Sequence, residues 1–151
     1  MSTEIENKID SENALKKEEN KYLEINPGQL EKSKELAEKI SIILDSKKAR
    51  NVKIIETNKQ TIICDYFVIA TGTSSTHIKS LAGEVEFQLK NINIEPSRIS
   101  GHQSSDWIII DYDSVLVHIF NSESRDYYKL EKLWGDGESV NVEEILNIEK
   151  K

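Results

Sequence analysis

The chain has 151 residues, 37% hydrophobic and 31% charged, enough for one domain with a core of ordinary size. Its formal charge of −7 is uneven: residues 1–24 and 136–151 each carry net −3, which leaves residues 25–135 at −1. There is no basic stripe to neutralise phosphates, so direct nucleic-acid contact is disfavoured and a basic protein partner fits better.

No apolar run approaches the roughly 20 residues of a membrane helix, and the acid-bearing N-terminus lacks the apolar core of a signal peptide. A lone cysteine, Cys64, has neither a disulfide partner nor a C-x-x-C neighbour. These features predict a reducing, cytoplasmic setting.

In chain order, residues 1–24 are rich in Glu, Lys, Asn and Ser, with few aliphatics to offset ordering entropy, and read as a mobile polar extension. Order begins at NPGQ, with Asn26 a good helix N-cap and Pro27 suited to the first helical position. Leu30, Ser33, Ala37, Ile40 and Leu44, with Ile43 alongside, then form one stripe at helical spacing that ends near Ser46 to Arg50. Asn51 to Thr57 is a β-rich run, followed by a turn at Asn58, Lys59 and Gln60. Thr61 to Thr71 is almost continuously apolar, the pattern of a central strand covered on both faces.

Gly72 breaks that strand, and the hydroxyls of Thr73, Ser74 and Ser75 are placed to cap a helix whose inner face is Ile78, Leu81, Ala82, Val85 and Leu89. Pro96 marks the exit, and residues 97–101 predict a short strand before a loop from Gly101 to Ser105. Trp107 to Tyr112 and Val115 to Phe120 read as a hairpin about Asp113 and Ser114. A last helix runs through SRDYYKLEKLW to Gly135, and Val142 to Ile148 is a candidate for one further helical turn within an acidic tail, residues 136–151.

These elements carry several candidate chemistries. Asp111 and Asp113 lie two apart, as a metal-binding carboxylate pair would on one strand. Without a third acid or a phosphate loop they read better as turn residues that bond backbone and stay solvated. TGTSSTH, Thr71 to His77, is a strand-to-helix turn of the type that holds phosphate, but it lacks a P-loop lysine and capping accounts for its hydroxyls. His77, His102, His118 and Cys64 have no zinc-ligand spacing; His118 reads as one face of a strand and Cys64 as inert core. The aromatic run Tyr127 to Trp134 reads equally as a partner surface or as core closing a sheet edge.

Three blocks, CDYFVIATGTSSTHIKSLA, SSDWIIIDYDSVLVHIF and ESRDYYKLEKLW, in this order and at these distances, resemble the ribosomal silencing factor, or Iojap, family over about residues 28–135. Asp65, Thr71 to Ser75, His77, Asp106, Trp107, Asp111, His118, Arg125, Tyr128, Leu130, Glu131, Leu133 and Trp134 fit its pattern. The chain departs from it at Tyr112-Asp113-Ser114, where the family has Gly-Asp, and at Ser100-Gly101-His102-Gln103.

The resemblance implies a single α/β domain, residues 25–135, with a mixed β-sheet flanked by helices. Its topology would be nucleotidyltransferase-like but without the catalytic set. It implies no enzyme and no cofactor, but a cytoplasmic repressor that binds the large ribosomal subunit through large-subunit ribosomal protein fourteen. Such a repressor blocks subunit joining and lowers translation under nutrient limitation. Asp106, Trp107, Asp111, Arg125, Tyr128 and Glu131 are the partner-binding residues this suggests. A metal-dependent nucleotidyltransferase-like enzyme using Asp111 and Asp113, and a homodimeric adaptor with another partner, stay open beside it.

Overall fold

The computed structural model describes residues 27–61, 63–101, 106–133 and 139–140. Helix α1 (Pro27–Ser46) leads into β1 (Arg50–Glu56) and β2 (Tyr66–Thr71), then α2 (Ser75–Lys90). Strands β3 (Arg98–Ser100), β4 (Trp107–Asp111) and β5 (Val115–Phe120) follow, then short helices α3 (Ser122–Tyr128) and α4 (Leu130–Leu133), and finally β6 (Ser139–Val140).

The strands form one sheet in the order β3-β4-β5-β2-β1-β6. β2 and β5 run parallel, in register from Tyr66 opposite Val115 to Thr71 opposite Phe120, and the other neighbours are antiparallel. The fold is therefore α/β with a mixed sheet and helices. A parallel neighbour needs a crossover, and α2 is the first element of it.

Periodicity explains where the helices lie. Ile78, Leu81, Ala82, Val85 and Leu89 are the buried residues of α2. On α1 the residues Ser33, Ala37, Ile40, Ile43 and Leu44 are buried. Both stripes meet one face of the sheet, where Ile54, Val68, Ala70, Ile108, Ile110, Val117 and Ile119 complete the main core. A smaller apolar cluster occupies the opposite face: Ile55, Cys64, Phe67, Ile69 and Phe120, edged by Trp107, Leu116 and Leu130. All six residues of β2 are buried, as a strand between two apolar layers requires.

Two elements differ from the sequence expectation. The central strand begins at Tyr66, not Thr61. The carbonyl of Asp65 accepts from the N–H groups of both Thr57 and Asn58, and its own N–H donates to the Ser114 carbonyl, so the chain turns there instead of laddering. Ile63, in the apolar run, is 72% exposed as a result. The final helix is also not continuous. Lys129 takes a left-handed conformation (φ 47°), closing α3 before α4 begins at Leu130, so the single helix expected through SRDYYKLEKLW is broken there.

Strand β6 pairs its residues Val140 and Ser139 with Ile54 and Ile55, a ladder the sequence reading did not anticipate. The extension at 1–24, Asn26, His102, Trp134 and the turn expected at Val142 to Ile148 lie outside the described residues.

Candidate functional site

Five of the six singled-out residues gather at one end of the sheet. Trp107 opens β4 and sits opposite Phe120, the last residue of β5. Period-two alternation puts both side chains on the face away from α1 and α2, beside Phe67, Ile69 and His118. The rings form a graded series. Phe67 meets His118 edge-on at 4.8 Å, Trp107 stacks on Phe120 at 4.8 Å, and Tyr128 covers Trp107 at 4.6 Å, with Tyr127 edge-on to Tyr128 at 5.1 Å. The series runs from buried to open: Phe120 is 1% exposed, Tyr128 47% and Tyr127 81%.

Hydrogen bonds fix the frame around these rings. Asn121 caps α3, its Oδ1 accepting from the Ser124 N–H at 2.7 Å, while its Nδ2 donates to Asp106 Oδ1 at 2.9 Å and its backbone N–H donates to the Asp106 carbonyl. The exposed Asp106 is thereby tied to the start of the helix that carries Tyr128. Arg125 is buried. Its Nε donates to Glu131 Oε1 at 2.6 Å and its Nη1 to Thr71 Oγ1 at 2.8 Å, joining α3, α4 and the end of β2. Burial pushes the Glu131 carboxyl up, but its own backbone N–H and the Arg125 guanidinium together hold it below the ordinary carboxylate value. Trp107 donates from Nε1 to His118 Nδ1 at 3.1 Å.

Asp111 is not part of this group. It lies at the far end of β4, where its Oδ1 accepts from the Asp113 N–H at 2.8 Å and the Asp113 Oδ2 accepts from Ser97 Oγ at 2.7 Å. Asp113 itself has φ 65°, a left-handed turn position that Asp tolerates. Both acids thus serve a turn. Among the described residues no three His, Cys, Asp or Glu side chains gather as a metal site would require.

The Thr71–His77 turn is likewise structural, although capping does not account for all of it. Only Ser74 caps α2, accepting from the His77 N–H at 3.1 Å. Thr73 instead engages His77, whose Nδ1 accepts from the Thr73 N–H at 2.9 Å while its Nε2 donates to the Lys47 carbonyl at 2.8 Å. Burial pushes the Cys64 thiol up to about 11, so it stays protonated and unreactive at neutral pH.

Sequence reasoning missed Asn121, Thr71 and the bond between Trp107 and His118. An asparagine directly before S-E-S-R is a legible capping signal. The Thr71 contact depends on the parallel pairing of β2 with β5, which no local pattern reports, and the Trp107–His118 bond on the antiparallel register of the β4–β5 hairpin, which sets Trp107 opposite Phe120 and so diagonal to His118.

A family model described as "ribosomal silencing factor during starvation" matches residues 30–151. The ribosomal silencing factor RsfS of Halalkalibacterium halodurans is 35% identical over 104 residues, covering 69% of this chain and 89% of that protein. The mouse protein named mitochondrial assembly of ribosomal large subunit protein 1 is 30% identical, covering 61% of this chain and 42% of its own length. A crystal structure from Chromobacterium violaceum superposes with a TM-score of 0.64 at 31% identity, covering 70% of this chain and 86% of that one.

Proposed function

The chain belongs to the family of ribosomal silencing factors, and from that premise we propose that it binds the large ribosomal subunit through large-subunit ribosomal protein fourteen. Bound there, it keeps the small subunit from joining and represses translation when nutrients are short. The action is steric and needs occupancy alone. It uses no catalysis and no cofactor, and it takes place in the cytoplasm.

The observation that carries the placement of the surface is the Trp107–Tyr128 platform. Two large aromatic rings at 4.6 Å reach the protein surface beside an exposed carboxylate, Asp106. Rigid, amphipathic aromatics of this kind dominate interface energetics because they bury large area at small entropic cost. An acidic chain of net −7 complements a basic ribosomal protein and is repelled by bare RNA. Within the group, Asp106, Trp107 and Tyr128 make contact, and Arg125 and Glu131 hold the α3–α4 corner in shape. Asp111, at the far end of β4 and engaged in its turn, lies outside this platform. A standard interface of about 1,600 Å² is ample for steric exclusion.

The mouse relative, named for assembly of the ribosomal large subunit, supports the choice of that subunit. Added protein should shift sucrose-gradient profiles from joined ribosomes toward free subunits, with the chain co-sedimenting with the large one. Unchanged profiles would remove the proposal. A homodimer is compatible with this activity, and the sedimentation of the free chain decides it.

A further inference from the structure

His118 occupies a place built for an apolar side chain. It is 4% exposed, paired across the ladder with Ile69 and Ile109, and packed against Phe67 and Phe120. Leu, Ile or Phe would fill such a site without any polar atom to desolvate.

The histidine carries a penalty there. Its Nδ1 faces the indole N–H of Trp107, a group that only donates, so Nδ1 must be the unprotonated acceptor. The proton of the neutral ring then sits on Nε2, which is buried and has no hydrogen-bond partner among the described residues. Among the described residues, then, one nitrogen has no partner while the other accepts from Trp107. Burial also pushes the ring down to about 4, so it stays neutral and keeps that acceptor at physiological pH.

What the bond fixes is the direction in which the Trp107 indole N–H points. The indole has His118 at its N–H, Phe120 stacked at 4.8 Å and Tyr128 covering it at 4.6 Å. Stacking against flat rings acts mainly across the indole plane and directs its N–H only indirectly. A directed N–H bond sets that direction.

Resting on the reading of Trp107 as a contact residue, we propose that His118 is a positioning residue of the partner surface. Its Nδ1 locks the Trp107 indole in the single orientation that the partner meets, and Tyr128 is seated on that ring in turn. Preorganisation of this kind raises affinity by removing the ordering cost at binding.

The test compares His118→Asn, His118→Phe and Trp107→Ala in the full chain. The readouts are binding to purified large ribosomal subunits and the indole N–H resonances of the free protein, the Trp107 signal being identified by its loss in Trp107→Phe. Asparagine places its Oδ1 where Nδ1 stood and restores the acceptor; phenylalanine keeps the volume and removes it. Expected are about tenfold weaker binding for His118→Phe, a shifted and broadened Trp107 indole signal, and near-normal values of both for His118→Asn. If Trp107→Ala weakens binding while His118→Phe does not, the positioning role is wrong and the contact role of Trp107 stands. If Trp107→Ala binds like the parent chain, the contact reading itself fails and takes this inference with it. If asparagine and phenylalanine weaken binding equally, His118 serves packing alone. Should either variant fail to fold, the imidazole nitrogen resonances of the unaltered protein decide: a proton on Nδ1 overturns the proposal.

Discussion

Arg125 and Glu131, six residues apart, meet at 2.6 Å across the left-handed Lys129, and that bond closes the corner between α3 and α4. A continuous helix would set residues six apart about 120° apart around the axis and about 9 Å apart along it. The break at Lys129 is what lets the carboxylate fold back onto the guanidinium, which itself reaches Thr71 at the end of the central strand. The corner carrying Tyr128 is thus anchored to the most buried strand of the sheet.

Arg125→Ala should cost about 2–3 kcal/mol of stability, since it strands the Thr71 hydroxyl and a half-buried carboxylate. Arg125→Lys should recover only part of this, because an ammonium does not offer two divergent donors of fixed geometry. Glu131→Gln keeps an acceptor and should cost about 1 kcal/mol. Urea unfolding of the three variants checks the ranking. An alanine variant as stable as the parent would mean that the corner is held by its aromatics alone.

The elements with strong periodicity were legible. The five buried residues of α2 are the same five that its sequence spacing picks out, and the hairpin from Trp107 to Phe120 follows from two β-rich runs about Asp113 and Ser114. What was not legible has a physical reason in each case. The run from Thr61 is apolar, yet the bonds from Thr57, Asn58 and Asp65 turn it before Tyr66. Composition is blind to where backbone groups find partners. The left-handed Lys129 has no glycine or asparagine to announce it. Of the candidate site, the residue types were readable, but that Asp111 stands apart and Arg125 is buried emerges only from strand register and from the α3–α4 corner.

Asp111 and Asp113 should bind divalent cations only weakly, because their oxygens are engaged by the Asp113 N–H and the Ser97 hydroxyl at an exposed turn. Calorimetry with magnesium and manganese checks this. Tight binding abolished by Asp111→Asn would instead favour a metal-dependent enzyme.

Gly83→Ala should stabilise the domain by about 0.5–1 kcal/mol. The glycine lies inside α2, and a Cβ built there meets no atom within 4 Å. By contrast, Gly101→Ala should destabilise. Its φ of 87° is left-handed, and a Cβ would run into the Trp107 carbonyl at the start of the candidate surface. Thermal melting of the pair should therefore move in opposite directions, and a stabilised Gly101→Ala would contradict the close approach.

The buried His118 should make the domain acid-sensitive in a defined window. Burial lowers its ring to about 4, whereas the ring of the unfolded chain titrates near 6.5. Between those values unfolding takes up a proton that the folded chain refuses, so stability falls as pH drops from about 6.5 and levels off below about 4. The full loss from this one group is about 3 kcal/mol. Carboxylates also titrate at the lower end, Glu131 among them, since its depressed value adds stability that disappears only as pH falls through the acidic range. The upper part of the window, pH 7 to 5, therefore reports His118 most directly. Replacing it with asparagine removes the titrating group while keeping an acceptor for the Trp107 indole. The variant should be less stable at pH 7, because the smaller side chain leaves space between Phe67 and Phe120, yet its stability should change much less between pH 7 and 5. Urea unfolding at closely spaced pH values measures both slopes, and equal slopes would show that His118 is already accessible to protons in the folded chain.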